Sequence, residues 1–223
     1  IVAPVPEKEG YEFIGWDKTV PETMGTEDIT FTAQWKIRTY TVTYKVDGEQ
    51  VHQDTYEYGA DVTAFSYEKT GYTVSAWDKT VPEKMPADDL TFNATSSINS
   101  YTVTYKVDGE QVHEDTYDYG ADVTTFVYEK TGYTVSAWDM TVPAVMPAES
   151  IVVSATSTAN TYTVVFESDG GDGEMAQQSF TYDTESTLNR NAFTKDGCHF
   201  VGWECGGKIF ADAQSVINLT AEN

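Results

Sequence analysis

The sequence is poor in cysteine, in basic residues and in long apolar runs. Only two of its 223 residues are cysteines, so disulfide bonds cannot be its main source of stability. Lysine and arginine number 13 against 36 aspartates and glutamates, which gives a formal net charge of −23. Such an acidic surface repels nucleic acid and anionic lipid and excludes both as partners. No stretch approaches the roughly 20 apolar residues of a membrane span, so we expect no membrane contact within this segment.

What the sequence does contain is an internal repeat. The motif Tyr-Thr-Val-Thr-Tyr-Lys-Val-Asp-Gly at residues 40–48 recurs letter for letter at residues 101–109, and residues 162–164 open a third copy. The spacing predicts a partial repeat (1–38), a first full repeat (39–99), a second full repeat (100–160) and a last repeat (161–223) that lacks its last strand. Because the chain begins and stops inside a repeat, we expect it to be part of a longer array.

Each repeat has the pattern of a small β structure. In residues 40–47 large apolar and polar side chains alternate, which predicts a strand with one buried face. Asp47-Gly48 predicts a tight turn into a second strand at 51–58. Residues 62–70 fit a loop or one short helical turn, residues 72–77 and 90–94 fit strands, and residues 96–100 fit a polar link. The predicted fold class is therefore mainly β, in tandem small repeats with at most a short helix each.

Three stretches of the last repeat carry a family resemblance. They are residues 162–166 (Tyr-Thr-Val-Val-Phe), 169–175 (Asp-Gly-Gly-Asp-Gly-Glu-Met) and 200–203 (Phe-Val-Gly-Trp). Together they resemble the Listeria–Bacteroides repeat, also called the B-repeat of the internalins, and residues 10–16 show the same pattern. The resemblance implies β-grasp-like units in a linear array, display on the surface of a bacterium, often a Gram-positive one, and no catalytic residues.

The resemblance and the repetition together predict function. The leading hypothesis is a non-catalytic extracellular stalk or spacer of a bacterial cell-surface protein, whose partners are the other domains of that protein. The alternative is an adhesin module that binds a host glycan such as mucin, or a host protein. We expect no enzymatic activity and no cofactor, as the resemblance implies. We expect no metal site, because no segment has the spaced oxygen ligands of a calcium loop.

Two tryptophans separate these hypotheses. Strict alternation would place Trp77 on the face opposite Tyr72 and Val74, where it and Trp138 would be exposed and could stack on a sugar. The residue before each tryptophan is small, and small residues in strands often mark bulges. We therefore expect both tryptophans to be mostly buried, because a bulge or twist near Ala76 and Ala137 turns them inward.

Histidine and cysteine offer little chemistry. His52 and His113 occupy the same repeat position on a predicted hairpin strand, where we expect solvent-facing structural side chains. Cys198 stands where the other repeats have tyrosine and is expected to fill the core. It could pair with Cys205 only across a turn, since seven residues of extended chain span about 23 Å and a disulfide needs Cα atoms within about 7 Å.

Overall fold

The computed structural model describes residues 2–220, which contain strands, turns and loops but no helix. This confirms the predicted fold class of small β-sheets in tandem. With no helix in that part of the chain, none is long and apolar enough to cross a membrane. The chain divides between residues 99 and 100 into two compact parts.

The first part begins with a two-stranded antiparallel sheet of the partial repeat. Its strands are β1 (Tyr11–Trp16) and β2 (Ala33–Ile37). The register between them shifts between Phe13 and Gly15, so β1 carries one extra residue there. A single residue, Arg38, separates β2 from the first strand of the next repeat.

The first full repeat contains a three-stranded mixed sheet and a second small sheet. Its strands are β3 (Thr39–Val46), β4 (Glu49–Glu57), β5 (Tyr72–Val74), β6 (Leu90–Ala94) and β7 (Ser96–Ile98). The order β4-β3-β6 places β3 in the centre, antiparallel to β4 and parallel to β6. The chain runs from β6 into β7 across one residue, and β7 then pairs antiparallel with β5.

The hairpin between β3 and β4 follows directly from its two turn residues. Asp47 and Gly48 have φ angles of 53° and 86°, and a two-residue turn with both angles positive matches the right-handed twist of the flanking strands. Along β3 the alternation then buries Val42 and Tyr44 completely. The predicted hairpin is thus present, with its second strand starting two residues earlier than expected.

Residues 62–69 form an irregular extended loop rather than a helical turn. The expected polar link at residues 96–100 was wrong, because residues 96–98 form β7. The physical reason is that β5 needs a backbone partner for its amide and carbonyl groups, and β7 supplies it in register from Tyr72–Ile98 to Val74–Ser96.

The second part repeats this arrangement and adds the last repeat. The second full repeat contains β8 (Ser100–Val107), β9 (Glu110–Asp118), β10 (Tyr133–Val135), β11 (Ile151–Ala155) and β12 (Ser157–Ala159), paired as in the first. Over residues 161–220, the last repeat contains three two-stranded antiparallel sheets. They pair β13 (Thr161–Val164) with β14 (Gln178–Thr181), β15 (Ser186–Thr187) with β18 (Ser215–Val216), and β16 (Trp203–Cys205) with β17 (Lys208–Phe210).

Each full repeat and the last repeat enclose their own hydrophobic core. The first full repeat buries Val42, Tyr44, Met85 and Phe92. The second buries Val103, Tyr105, Met146, Ile151 and Val153, and the last buries Tyr162, Phe166, Phe180, Leu188 and Val216. A methionine from the connecting loop, Met85 or Met146, closes the core in both full repeats at 1% exposure.

The prediction that Cys198 fills the core is wrong. It is exposed and unpaired, as is Cys205. The reason lies in the tyrosines at the same repeat position. Tyr11 packs against Tyr58 and Tyr133 against Tyr182, each on the following repeat rather than inside its own. The position is therefore a junction position, and tyrosine there does not predict a buried side chain.

Candidate functional site

A bulge turns the tryptophan of each full repeat toward the core. The Ser75 amide donates to the Thr95 carbonyl at 2.9 Å, and the Asp78 amide donates to the Asn93 carbonyl at 2.8 Å. Two residues just beyond β5, Ala76 and Trp77, therefore lie opposite one residue, Ala94 of β6, which is the arrangement of a bulge. The second full repeat has the same pair of bonds, from Ser136 to Thr156 and from Asp139 to Ser154.

The indole rings that result are half-buried. Trp77 packs against Tyr44 with ring centroids 4.9 Å apart, and its Nε1 donates to the Phe65 carbonyl at 2.8 Å. Trp138 lies 5.1 Å from Tyr105, and its Nε1 donates to the Phe126 carbonyl at 3.3 Å. Each indole thus holds its core and loop together and keeps only part of its surface for solvent.

An aspartate follows each of these tryptophans and accepts hydrogen bonds from the neighbouring strand. Asp78 accepts from the Asn93 amide at 2.9 Å and from the Asn93 side chain at 3.0 Å. These hydrogen bonds, the side-chain bond foremost, lower the pKa of Asp78. Asp17 accepts from the Thr32 amide in the partial repeat, and Asp139 accepts from the Ser154 amide in the second full repeat. The tryptophan–aspartate pair is therefore a structural unit repeated along the chain.

A shallow depression, wide open to solvent, borders Trp77. It is lined by Trp77 together with Ala64, Ala76, Asp78, Lys79 and Val81. The Asp78 carboxylate is held by Asn93, and Lys79 donates to the Thr91 carbonyl at 3.4 Å. The two charged groups at its edge are thus already engaged in the fold.

His52 and His113 are more buried than the alternation suggested. The His52 ring stacks on Phe65 with centroids 4.2 Å apart and planes 13° from parallel. Its Nε2 lies 2.8 Å from Asp54 Oδ2, and the side chain is 34% exposed. His113 repeats this with Phe126 and Asp115. The two histidines are therefore half-buried and not solvent-facing as expected. Each links its strand, β4 or β9, to the loop that follows it.

Sequence reasoning missed this contact because Phe65 lies in a stretch without periodicity. The spacing of His52 and Asp54, two residues apart on one strand face, indicates only that these two side chains can pair with each other. Within residues 2–220 no three histidine, cysteine, aspartate or glutamate side chains come together as metal ligands.

The aspartates of the two hairpin turns form a further recurring cluster. Asp108 accepts from the Ser157 amide at 2.8 Å and the Ser157 hydroxyl at 2.5 Å, and Lys130 donates to it at 3.1 Å. Led by the Ser157 side-chain bond, these groups lower the pKa of Asp108 to about 2. Asp47 makes the same bonds with Ser96 and Lys69. Each turn is thereby tied to the start of β7 or β12.

The repeats of this chain match a known family of repeat domains. The Listeria-Bacteroides repeat domain matches residues 40–95, 101–141 and 162–218. The chain belongs to the Listeria-Bacteroides repeat family. Two of the three matches cover most of a predicted repeat, and the third covers the first two-thirds of the second full repeat.

Similar sequences form part of larger bacterial proteins. A protein of Evansella cellulosilytica, named only as a candidate membrane protein, is 29% identical over 89% of this chain and 34% of its own length. Internalin H of Listeria monocytogenes is 34% identical over 42% of this chain and 20% of its own length. The chain thus spans about a third or less of the length of the curated relatives it matches.

Solved structures of other bacterial repeats align with parts of the chain. Streptococcal SHIRT domains 3-4 from a cell surface protein align with 54% of this chain and 98% of theirs, at 16% identity and a TM-score of 0.21. Mub-RV aligns with 56% of this chain and 100% of its own, at 17% identity and a TM-score of 0.22. Scores this low do not establish a shared overall arrangement.

Proposed function

We propose that this chain is a non-catalytic extracellular stalk segment of a bacterial cell-surface protein, with its repeats following one another in a linear array. The proposed repeats are residues 1–38, 39–99, 100–160 and 161–223, and the proposed partners are the other domains of the same protein. Membership of the Listeria-Bacteroides repeat family and the similarity to Internalin H support this proposal. So does the engagement of the turn and strand aspartates in structural hydrogen bonds.

The observation that carries the proposal is the repetition of one closed packing scheme. The first and second full repeats bury the same tyrosine and methionine, hold the same tryptophan with the same loop carbonyl, and tie the same turn aspartate to the same serine. A module that repeats with the same tyrosine, methionine and tryptophan contacts, and with only apolar exchanges in its core such as Phe92 for Val153, suits a length-setting role, since each copy adds distance but no new chemistry.

The test is to display the chain between a bacterial surface anchor and a terminal epitope. One copy and two copies of the chain are compared, and the height of the epitope above the membrane is measured by fluorescence microscopy. We expect the height to increase with the second copy. A Gly/Ser linker of equal length is the control, because the span of a flexible coil grows only as about the square root of its length. Equal heights for the chain and the linker would contradict the stalk proposal.

A second candidate function is the adhesin, and the depression beside Trp77 is the observation that favours it. A host glycan would stack on the exposed part of Trp77 and occupy the depression beside it. The test is a binding screen of the whole chain against mucin glycans and host proteins. Saturable binding that is lost in Ala64→Arg, which fills the depression, and kept in Thr63→Arg, which alters an exposed neighbour, would replace the stalk proposal with the adhesin.

A further inference from the structure

Each part of the chain contains the same close contact between a glycine and a tyrosine of neighbouring repeats. The ring of Tyr58 lies over Gly10, just before β1 in the partial repeat, and the ring of Tyr182 lies over Gly132 in the second full repeat. A Cβ atom added to Gly10 would lie 2.1 Å from the Tyr58 ring, and one added to Gly132 would lie 2.3 Å from the Tyr182 ring. Only glycine leaves room for the ring at either position.

The backbone reinforces both contacts in the same way. The Arg38 amide donates to the Gly10 carbonyl, and the Tyr58 amide donates to the Arg38 carbonyl, both at 2.9 Å. In the second part Asn160 takes the place of Arg38, bonding Gly132 and accepting from the Tyr182 amide, again at 2.9 Å. The single linking residue is thus hydrogen-bonded on one side to the glycine and on the other to the tyrosine.

A second tyrosine flanks the ring in both places. Tyr11 meets Tyr58 edge to face with centroids 6.0 Å apart, and Tyr133 meets Tyr182 in the same way at 5.7 Å. The Tyr133 hydroxyl also donates to Asp183 at 2.8 Å. Edge-to-face pairs are attractive beyond the area they bury. The contact therefore combines steric fit, backbone hydrogen bonds and an aromatic pair.

We propose that this glycine–tyrosine contact is the interface that fixes the orientation of one repeat on the next. Its partner is a repeat of the same kind that carries a tyrosine just after its first hairpin, as Tyr58 and Tyr182 do. The proposal deepens the stalk function and rests on it, because a stalk that holds its length needs junctions that do not bend freely. The tyrosine ring packs directly on the glycine backbone, with no Cβ between them. Any rotation of one repeat against the next therefore either separates ring and backbone or makes them clash, so the contact resists both twisting and bending.

The test measures motion at the junction in the second part of the whole chain. Both native cysteines are changed to serine, and spin labels are placed on Val127→Cys and Ala176→Cys, two exposed positions on either side of the junction. Double electron–electron resonance then gives the distribution of distances between the labels. We expect a single narrow peak for the otherwise unaltered chain.

The decisive variant is Gly132→Ala, with Gly197→Ala as its matched control. Both glycines occupy the same repeat position and have nearly the same φ, +77° and +72°, but nothing lies within 4 Å of a Cβ at Gly197. The backbone strain of the substitution is therefore common to both, and only Gly132→Ala displaces a ring. We expect the narrow peak to be lost in Gly132→Ala and kept in Gly197→Ala. Tyr182→Leu, which removes the ring and leaves the glycine, should also lose the peak.

The possible outcomes distinguish failure of the proposed junction from failure of the proposed stalk. A broad distribution in the unaltered chain, or a narrow one in both Gly132→Ala and Tyr182→Leu, would overturn the proposal. If circular dichroism shows that Gly132→Ala has unfolded, Tyr182→Leu alone decides. The epitope-height measurement tests the stalk independently, so a fixed junction in a chain that adds no height would refute the stalk and leave the interface in place.

Discussion

At the residue scale, the centre of each full repeat is a tyrosine whose hydroxyl makes no hydrogen bond. Tyr44 and Tyr105 are both 0% exposed, and the buried oxygen of each has no partner within the described residues. Burial raises the pKa of Tyr44, and the nearby Phe65 backbone lowers it in part. The Tyr44 hydroxyl and the Phe65 backbone do not have the geometry of a hydrogen bond. A buried hydroxyl without a partner costs about 1–3 kcal/mol of desolvation.

The first prediction is that Tyr44→Phe and Tyr105→Phe keep or raise stability, by up to about 1 kcal/mol each, because they remove an unsatisfied hydroxyl and keep the ring. Thermal unfolding checks this. Tyr162→Phe is the matched control, since the Tyr162 hydroxyl accepts from the Leu219 amide at 3.2 Å and its loss should destabilise. A fall in melting temperature for Tyr44→Phe as large as for Tyr162→Phe would show that the Tyr44 hydroxyl is bonded.

The second prediction concerns Trp77, whose ring and Nε1 hold the loop to the core. Trp77→Ala should cost about 3 kcal/mol, the lower end of the range for a core aromatic side chain, because the indole is half-buried. A repeat of about 60 residues is near the lower size limit for an independent core, so its near-ultraviolet circular dichroism should be lost. Thr80→Ala, at an exposed uncharged residue that lines the same depression, should leave the melting temperature unchanged. If Trp77→Ala also melts normally, the indole is a surface group and the adhesin becomes the better hypothesis.

At the scale of the element, the parts that could be predicted are those with a local signal. Alternation along residues 40–47 and the Asp47-Gly48 pair were enough for the β3–β4 hairpin, because both act within a few residues. Leu90 to Ala94 was recognised as a strand for the same reason. The strand β7 was missed because Ser96 and Ser97 look like linker residues, and only the unpaired edge of β5 makes them a strand.

The candidate site was predicted less completely than the hairpins. The small residue before the tryptophan pointed to a bulge, but nothing local could show that Phe65 would lie on His52 or that its carbonyl would receive the Trp77 Nε1. These contacts join residues 12 or more apart through a loop without periodicity. They depend on how the loop crosses the sheet, and a loop of this kind leaves no pattern in the sequence.

The third prediction belongs to the β8–β9 turn. Asp108→Asn keeps a residue that tolerates positive φ at this turn, but it loses the charge that binds Ser157 and Lys130. The folded pKa of about 2 lies below the ordinary value of 3.8, so the stabilisation is complete above pH 3.8 and disappears as the pH falls toward 2. Asp108→Asn should therefore melt below the unaltered chain at pH 7, and the difference should vanish near pH 2. Melting curves across this range check it, and a difference that persists at pH 2 would contradict the assigned role of the carboxylate.

At the scale of the whole molecule, charge of one sign dominates. The formal net charge of −23 means that folded repeats repel themselves and their neighbours, which favours solubility and opposes collapse of the chain on itself. The ion pairs that offset it, such as Lys69 with Asp47 and Lys84 with Asp61, lie at partly or fully exposed side chains. Exposed pairs contribute about 0–1 kcal/mol each. The repulsion of many like charges should therefore outweigh the attraction of a few pairs.

The fourth prediction follows from that balance. Raising the ionic strength from about 0.01 M to about 0.15 M shortens the screening length from about 30 Å to about 8 Å. Repulsion between distant carboxylates is then suppressed, while the turn aspartates keep hydrogen bonds to backbone amides that salt does not remove. We expect the melting temperature to rise over this range, in sodium chloride and in potassium chloride alike, because screening does not depend on the identity of the ion. A melting temperature that falls with salt would show that local pairs such as Lys130 with Asp108 stabilise the repeats more than the net charge destabilises them.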